Sequence, residues 1–235
     1  QHAGTNVPSE RLSDIVNHFN QGLSLIVSVD ERLCLAKLNL RAGQRAKNAT
    51  AYKSALDYLL IAEQLLPINA WDKTPAVMTV LASEIQQCYY LTGETEKADS
   101  WIETMLVHAE SNLKRSDILS IRTRQYATLG RMNESIVAAI QGLALLNINL
   151  TEQPTLADID EERELVEINL AGRNIAELVD ADIVNDPATL IAMRLLMEIF
   201  AAAFLSGSGN LFPYLVLKSV NLSLRNGNCP EAAFT

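Results

Sequence analysis

Apolar residues recur along the chain at the three- and four-residue spacing that places them on one face of an α-helix. A first helix is predicted to begin at Ser9, which is placed to cap it, after a tail of eight residues. Two further amphipathic helices are predicted over 31–48 and 51–66, and the second ends at Pro67, which cannot continue a helix. The pattern predicts helices that follow one another in antiparallel succession.

Small residues occur at regular places in this pattern, with bulky neighbours and tight turns between them. This is the arrangement of tetratricopeptide (TPR) repeats, in which alanine or glycine lets two helices approach closely and large side chains fill the gaps. One such match could come from any helical bundle, whereas three in register favour a repeat. The matching positions are Ala42-Gly43, Tyr52, Ala55, Leu59, Ala62 and Pro67; then Tyr89, Gly93, Ala98 and Ile102; then Tyr126, Gly130, Ser135, Ala139 and Gly142.

The pattern changes after Leu150. Thr155 and Asp158 predict a capping box for a helix that reaches about residue 170, and Asp186-Pro187 predict the start of a helix that runs to residue 205. That helix is apolar on nearly every side and needs neighbours in several directions. The last helix is predicted over 211–225, and Pro230 begins what resembles another.

The predicted fold is therefore all-α: a TPR-like antiparallel helix-pair solenoid with an additional C-terminal helical-bundle portion. Residues 30–150 are predicted to form three irregular TPR-like helix pairs, and residues 151–235 further helices that continue the array and are cut short at the C-terminus.

Composition limits the classes of partner. A formal net charge of -9 argues against a nucleic-acid or anionic-membrane surface, because both need clustered positive charge. Ten carboxylates lie between Glu152 and Asp182, and we assign them to a solvated helical face. The longest apolar stretches fall short of the roughly 20 residues of a membrane span, and the three cysteines lie far apart. We expect a cytoplasmic protein with reduced thiols.

Several segments together resemble the helical region of very large bacterial signalling proteins. The resemblance covers nearly the whole chain and rests on structural positions: Glu31-Arg32-Leu33, Leu38-Asn39-Leu40-Arg41-Ala42-Gly43, Ala70-Trp71, Leu170-Ala171-Gly172-Arg173, Asp186-Pro187, Val220-Asn221-Leu222 and Gly227-Asn228.

Those proteins carry a serine/threonine-kinase-like domain, an AAA/STAND-type ATPase, this helical segment, a GAF domain and often the histidine kinase of a two-component system. The resemblance implies that residues 1–29 are a junction helix that follows the ATPase module. It also implies that kinase and ATPase activities belong to the parent protein.

No residue pattern in the sequence points to catalysis. There is no phosphate-binding loop, and Gly207-Ser208-Gly209 lacks the third glycine of a dinucleotide site. The histidines His2, His18 and His108 are scattered, so no metal site is expected. Glu161, Glu162 and Glu164 could be imagined as an acid/base pair, but a solvated helix face accounts for them better. We predict no catalytic, cofactor-binding or metal-binding residue.

The function that remains is the binding of a partner molecule. In stacked helix pairs the first helices line a concave surface that commonly binds peptides or partner helices. A mixed basic and polar groove there suits an acidic peptide or a carboxylate, and ordinary solvated side chains are the alternative. The candidate groove residues are Lys37, Gln44, Lys47, Gln87, Tyr90 and Arg124.

Two functions follow from these observations. The first is a non-catalytic interaction and relay segment whose partners are other domains of the same polypeptide, a signalling protein or a second copy in a homodimer. The second is an inducer-binding sensor for a small molecule or peptide, which requires a pocket with convergent polar groups. A stand-alone enzyme lacks any supporting pattern of residues.

Overall fold

The structure is a computed structural model that describes residues 11–207 and 209–230. Helices make up the regular secondary structure of these ranges, so the predicted all-α class is confirmed. The predicted tail, the Ser9 cap and the helix predicted after Pro230 lie outside the described residues, and the solenoid stays a prediction. The helices are α1 Leu12–Gln21, α2 Val29–Asn48, α3 Tyr52–Leu65, α4 Ala70–Lys73, α5 Pro75–Leu91, α6 Thr95–His108, α7 Asn112–Thr128, α8 Met132–Leu145, α9 Leu156–Leu170, α10 Pro187–Glu198, α11 Phe200–Leu205 and α12 Leu211–Asn226.

The chain divides into two compact units, residues 1–108 and 109–235. In the first unit, consecutive helices pack against each other as the pairs α2 with α3 and α5 with α6, and α3 also packs against α5. Ala55 and Ala98 are buried within these pairs. The short helix α4 lies between α3 and α5 in the chain and packs against α5. TPR identity and the domain boundaries at residues 29 and 150 stay predictions.

The second unit is built around α10, which packs against α7, α8 and α12. Leu195 and Leu196 are fully buried, and this explains why α10 is apolar on most of its sides. The prediction of one uninterrupted helix over 187–205 is wrong, because α10 ends at Glu198 and α11 begins at Phe200. The backbone between them turns at Ile199, with φ -97° and ψ -1°.

By length and composition, Pro187–Leu205 is one segment of the described chain that could cross a membrane. Half of its most apolar window is buried inside the second unit, and core helices of soluble proteins pass the same test. This is weak evidence for a membrane span.

The predicted caps of α9 and α10 are confirmed. Thr155 Oγ1 accepts a hydrogen bond from the Asp158 amide while the Asp158 carboxylate accepts one from the Thr155 amide, which completes a capping box for α9. Asp186 Oδ2 accepts from the Thr189 amide at 2.9 Å, and Pro187 occupies the first turn of α10. These local signals fix where α9 and α10 begin.

Candidate functional site

Three of the predicted groove residues, Gln44, Lys47 and Gln87, meet in the first unit together with Glu84, which was not among the predicted groove residues. Lys47 of α2 donates to Gln87 Oε1 of α5 at 2.7 Å and forms an ion pair with Glu84. Gln44 Nε2 donates to Glu84 Oε1 at 3.1 Å. Each helix contributes two residues one turn apart, so the four side chains clasp α2 to α5.

Because Glu84 pairs with Lys47, this part of the groove is less positively charged than the sequence predicts. The Lys47 and Glu84 side chains are only 17% and 14% exposed, so the lysine charge is largely balanced within the unit. Beside the pair, burial raises the pKa of the Cys88 thiol; Lys47 opposes the rise and Glu84 adds to it. An acidic partner would have to compete with Glu84 for Lys47.

The other three groove residues take no part in these contacts. Lys37 is exposed on α2, ten residues before Lys47, which corresponds to roughly 15 Å along a helix. Tyr90 is half-buried on α5. Arg124 belongs to the second unit, where its Nε donates to Glu198 Oε1 at 2.8 Å. Binding of a partner at the groove stays a prediction.

Glu198 lies in a small charged cluster on α7 and α10. Burial raises its pKa, and the opposite charge of Arg124 offsets part of that rise. Arg194, on the same helix as Glu198, pairs with Asp117 at 3.2 Å. These ion pairs fix the packing of α10 against α7.

A polar seam joins α9 to α12 in the second unit. Glu162 is 7% exposed; its Oε2 and backbone oxygen each accept from Asn221 Nδ2 at 2.9 Å, and its Oε1 lies 2.7 Å from Lys218 Nζ. The assignment of Glu162 to a solvated face is therefore wrong, whereas Glu161 and Glu164 are exposed. Lys218 and Asn221 lie one turn apart on α12, and this places a cation and an amide against one carboxylate.

Arg173 extends the seam to the ends of both helices. Its Nη2 donates to Asn169 O at 2.6 Å and to Leu224 O at 2.9 Å, and its Nε donates to Leu170 O at 3.1 Å. The accepting carbonyls lie in the last turns of α9 and α12, where helix carbonyls lack intrahelical partners. One guanidinium therefore caps two helix C-termini.

The segment 174–184 follows Arg173 and is held to the end of α12 by Asn228. Asn228 Nδ2 donates to Leu178 O at 2.7 Å, its amide donates to Asp182 O at 2.8 Å, and the Val184 amide donates to Asn228 O at 2.8 Å. The segment contains a 3-10 helix, Ile175–Asp180. Gly227-Asn228 is one of the segments that carry the resemblance, and no local signal in the sequence reveals this pairing.

A cavity of about 590 Å³ lies between α9, α12 and the segment 174–184. Its lining is mostly aliphatic, with a few polar side chains among them. The lining residues are Val166, Leu170, Arg173, Ile175, Leu178, Val179, Ala181, Val220, Ser223, Leu224, Asn228 and Cys229.

Neither histidine in the described part of the chain belongs to a metal-binding cluster. Within residues 11–207 and 209–230, no group of three or more His, Cys, Asp or Glu side chains could hold a metal ion. His108 stacks on Trp71 with ring centroids 4.3 Å apart and ring planes 7° from parallel. His18 lies at the end of α1.

Comparison with known proteins gives one informative similarity. The chain is 23% identical over 240 residues to Hybrid signal transduction histidine kinase G of Dictyostelium discoideum. The match covers 91% of this chain but only 7% of the length of that relative. No protein-family model matches the chain, and no solved structure matches it.

The similarity supports the signalling part of the resemblance found in the sequence. The relative comes from Dictyostelium, so the similarity does not test the bacterial part. The TPR-like repeats and the AAA/STAND ATPase stay predictions as well.

Proposed function

We propose that this chain is a non-catalytic protein-interaction and relay segment of a multidomain signal-transduction kinase. The observation that carries the proposal is the match of 91% of the chain to a stretch that makes up 7% of a hybrid histidine kinase. Paired helices offer a broad surface to a partner, which suits an interaction role.

The proposal extends to the parent polypeptide. We assign kinase and ATPase activities to its other domains and place the parent in the cytoplasm. The partners of this segment are then those domains, a signalling protein, or a second copy of the segment. Lys37 and Tyr90 are the groove residues for which binding is tested best, because Lys47, Gln44 and Gln87 already hold Glu84.

The test uses the purified chain and the separately expressed neighbouring domains of its full-length polypeptide. We expect a complex by biolayer interferometry, and no ATP hydrolysis or autophosphorylation by the chain alone. Lys37→Glu weakens the complex because it reverses an exposed charge in the groove. Lys53→Glu makes the same change at an exposed position on α3 and leaves binding unchanged. ATP turnover by the chain, or no complex with any neighbouring domain, contradicts the proposal.

The cavity in the second unit favours a second candidate, an inducer-binding sensor. Its volume of about 590 Å³ falls in the range of roughly 300–1,000 Å³ that is typical of small-molecule sites. Aliphatic walls with a few polar groups are also typical of such sites. A ligand there would contact α9, α12 and the segment 174–184 together, and so could change how they pack.

A further inference from the structure

The cavity of the second unit has walls suited to a flexible aliphatic group. Val166 and Leu170 come from α9, Val220 and Leu224 from α12, and Leu178 and Val179 from the segment 174–184. Among the described residues that line the cavity, none is aromatic, so a flat ring would find no stacking partner. The walls therefore favour an alkyl chain over an aromatic ligand.

Two polar residues of this lining, Ser223 and Arg173, are candidates for contact with a ligand. Ser223 Oγ is buried and has no hydrogen-bond partner within the described part of the chain, so it reaches a ligand only if the side chain rotates toward the cavity. Arg173 is the charged residue among those that line the cavity. Its Nε and Nη2 donate to carbonyl oxygens, and Nη1 takes part in none of those bonds. A buried hydroxyl without a partner is unfavourable, so a ligand that bonds to it gains free energy.

We infer that the cavity binds a small amphipathic molecule with an aliphatic chain and one carboxylate. The chain packs against the aliphatic walls, and the carboxylate accepts hydrogen bonds from Arg173 Nη1 and from the Ser223 hydroxyl. Arginine keeps its charge at any pH of interest and its planar group matches a carboxylate, so these bonds are charge-assisted.

The size of the cavity distinguishes a small molecule from a partner helix. A helix about 10 Å wide with a pitch of 5.4 Å occupies roughly 420 Å³ per turn. A cavity of about 590 Å³ would hold little more than one such turn. The segment 174–184, held by Asn228, also forms one wall of the cavity. A partner helix would have to displace this segment.

The inference rests on the sensor role and names its ligand class. Decanoate is the probe, titrated into the full chain by calorimetry below the concentration at which it forms micelles. We expect saturable binding, and at least roughly tenfold weaker binding of 1-decanol, which has the same chain but no carboxylate. Equal affinity for the two probes overturns the assignment of the carboxylate.

A matched pair of variants on α9 tests the location. Val166 lines the cavity, whereas Ile168 on the same helix is 69% exposed. Val166→Glu places a negative charge among the aliphatic walls, which repels the carboxylate of decanoate and should weaken binding at least roughly tenfold, whereas Ile168→Glu leaves binding unchanged. Equal binding by both variants shows adsorption elsewhere on the chain and overturns the inference.

Ser223→Ala keeps the inference testable if Val166→Glu fails to fold. The hydroxyl has no partner in the described chain, so its removal leaves the melting temperature unchanged or higher. Affinity for decanoate falls roughly tenfold, as expected for a lost hydrogen bond to a charged group.

Unchanged affinity in Ser223→Ala, or no decanoate binding by the folded parent chain, overturns the inference. The interaction role would still stand, because it is tested by Lys37→Glu in the other unit.

Discussion

Gly43 of α2 faces Leu59 of α3 so closely that a Cβ atom on Gly43 would lie 2.7 Å from Leu59 Cγ. The same atom would lie 3.2 Å from the carbonyl oxygen of Ala55, and both Ala55 and Leu59 are fully buried. The two helices can approach this far because Gly43 on α2 has no side chain and Ala55 on α3 has only a methyl group. Helices α2 and α3 therefore cross closely at Gly43, and the assignment of this pair to a TPR repeat stays a prediction.

The first prediction is that Ala55→Leu destabilises the chain by roughly 1–3 kcal/mol, because the added carbon atoms have no space at the crossing. Urea denaturation measures the change in the free energy of unfolding. Ala76→Leu makes the same substitution at an exposed position of α5 and should change stability by less than about 0.5 kcal/mol. Equal stability of both variants would show that Ala55 is not at a tight crossing.

Local signals account for the parts of the fold that could be predicted. Thr155 with Asp158, and Asp186 with Pro187, each act over three residues or fewer, so the starts of α9 and α10 follow from the sequence. The end of α3 before Pro67 follows from the missing amide of proline in the same way.

The parts that could not be predicted depend on residues far apart in the chain. Glu162 is buried against Asn221, 59 positions later, and against Lys218 on the same helix. Gln44 meets Glu84 across 40 positions. Helical periodicity places each residue on a face of its own helix but does not say which helix that face meets. The polar seam and the cavity therefore could not be derived from the pattern.

The second prediction concerns the ion pair of Glu162 and Lys218. Lys218→Met leaves a nearly buried carboxylate without its cation and should cost about 1–3 kcal/mol. The cost stays below that of a fully buried pair because the Lys218 side chain is 23% exposed. Thermal denaturation followed by circular dichroism measures it.

Two further variants separate the charge effect from loss of packing. Adding Glu162→Gln to Lys218→Met removes the unpaired charge, so the double variant should recover part of the stability. Arg163→Met breaks the neighbouring surface pair with Asp160, whose side chains are 61% and 64% exposed, and should cost less than about 1 kcal/mol. A Lys218→Met variant as stable as Arg163→Met would contradict the structural role of the seam.

The third prediction concerns Gly227, which has φ +107° and touches the segment 174–184. A Cβ atom there would lie 2.1 Å from the backbone oxygen of Asp182, so the backbone has to shift. Gly227→Ala should therefore cost about 2–4 kcal/mol through strain and the lost bond from the Asn228 amide to Asp182 O. Hydrogen exchange at the Val184 and Asn228 amides should accelerate.

Gly172→Ala is the matched control, because Gly172 also has a positive φ, +74°, but nothing lies within 4 Å of an added Cβ. It should cost only the strain of the left-handed conformation, about 1–2 kcal/mol. If both variants lose the same free energy of unfolding and show the same exchange rates, the close approach of Gly227 to Asp182 does not contribute to stability.

The last prediction concerns the dependence of stability on pH at the start of α10. Hydrogen bonds from the Thr189 hydroxyl and amide hold the pKa of Asp186 below its ordinary value of 3.8. A lowered pKa in the folded state means that the cap stabilises the fold above pH 3.8, and that this contribution is lost as pH falls through the folded-state pKa.

Asp186→Ala removes the cap and should cost about 0.5–2 kcal/mol at neutral pH. Asp186→Asn keeps an oxygen that can accept from Thr189 but does not titrate, so it should cost less than Asp186→Ala at pH 7. Below pH 4 its melting temperature should fall less steeply than that of the parent chain. Melting curves from pH 2.5 to 7 test both statements. Parallel acid profiles for the parent and Asp186→Asn would show that the charge of this cap contributes nothing to stability.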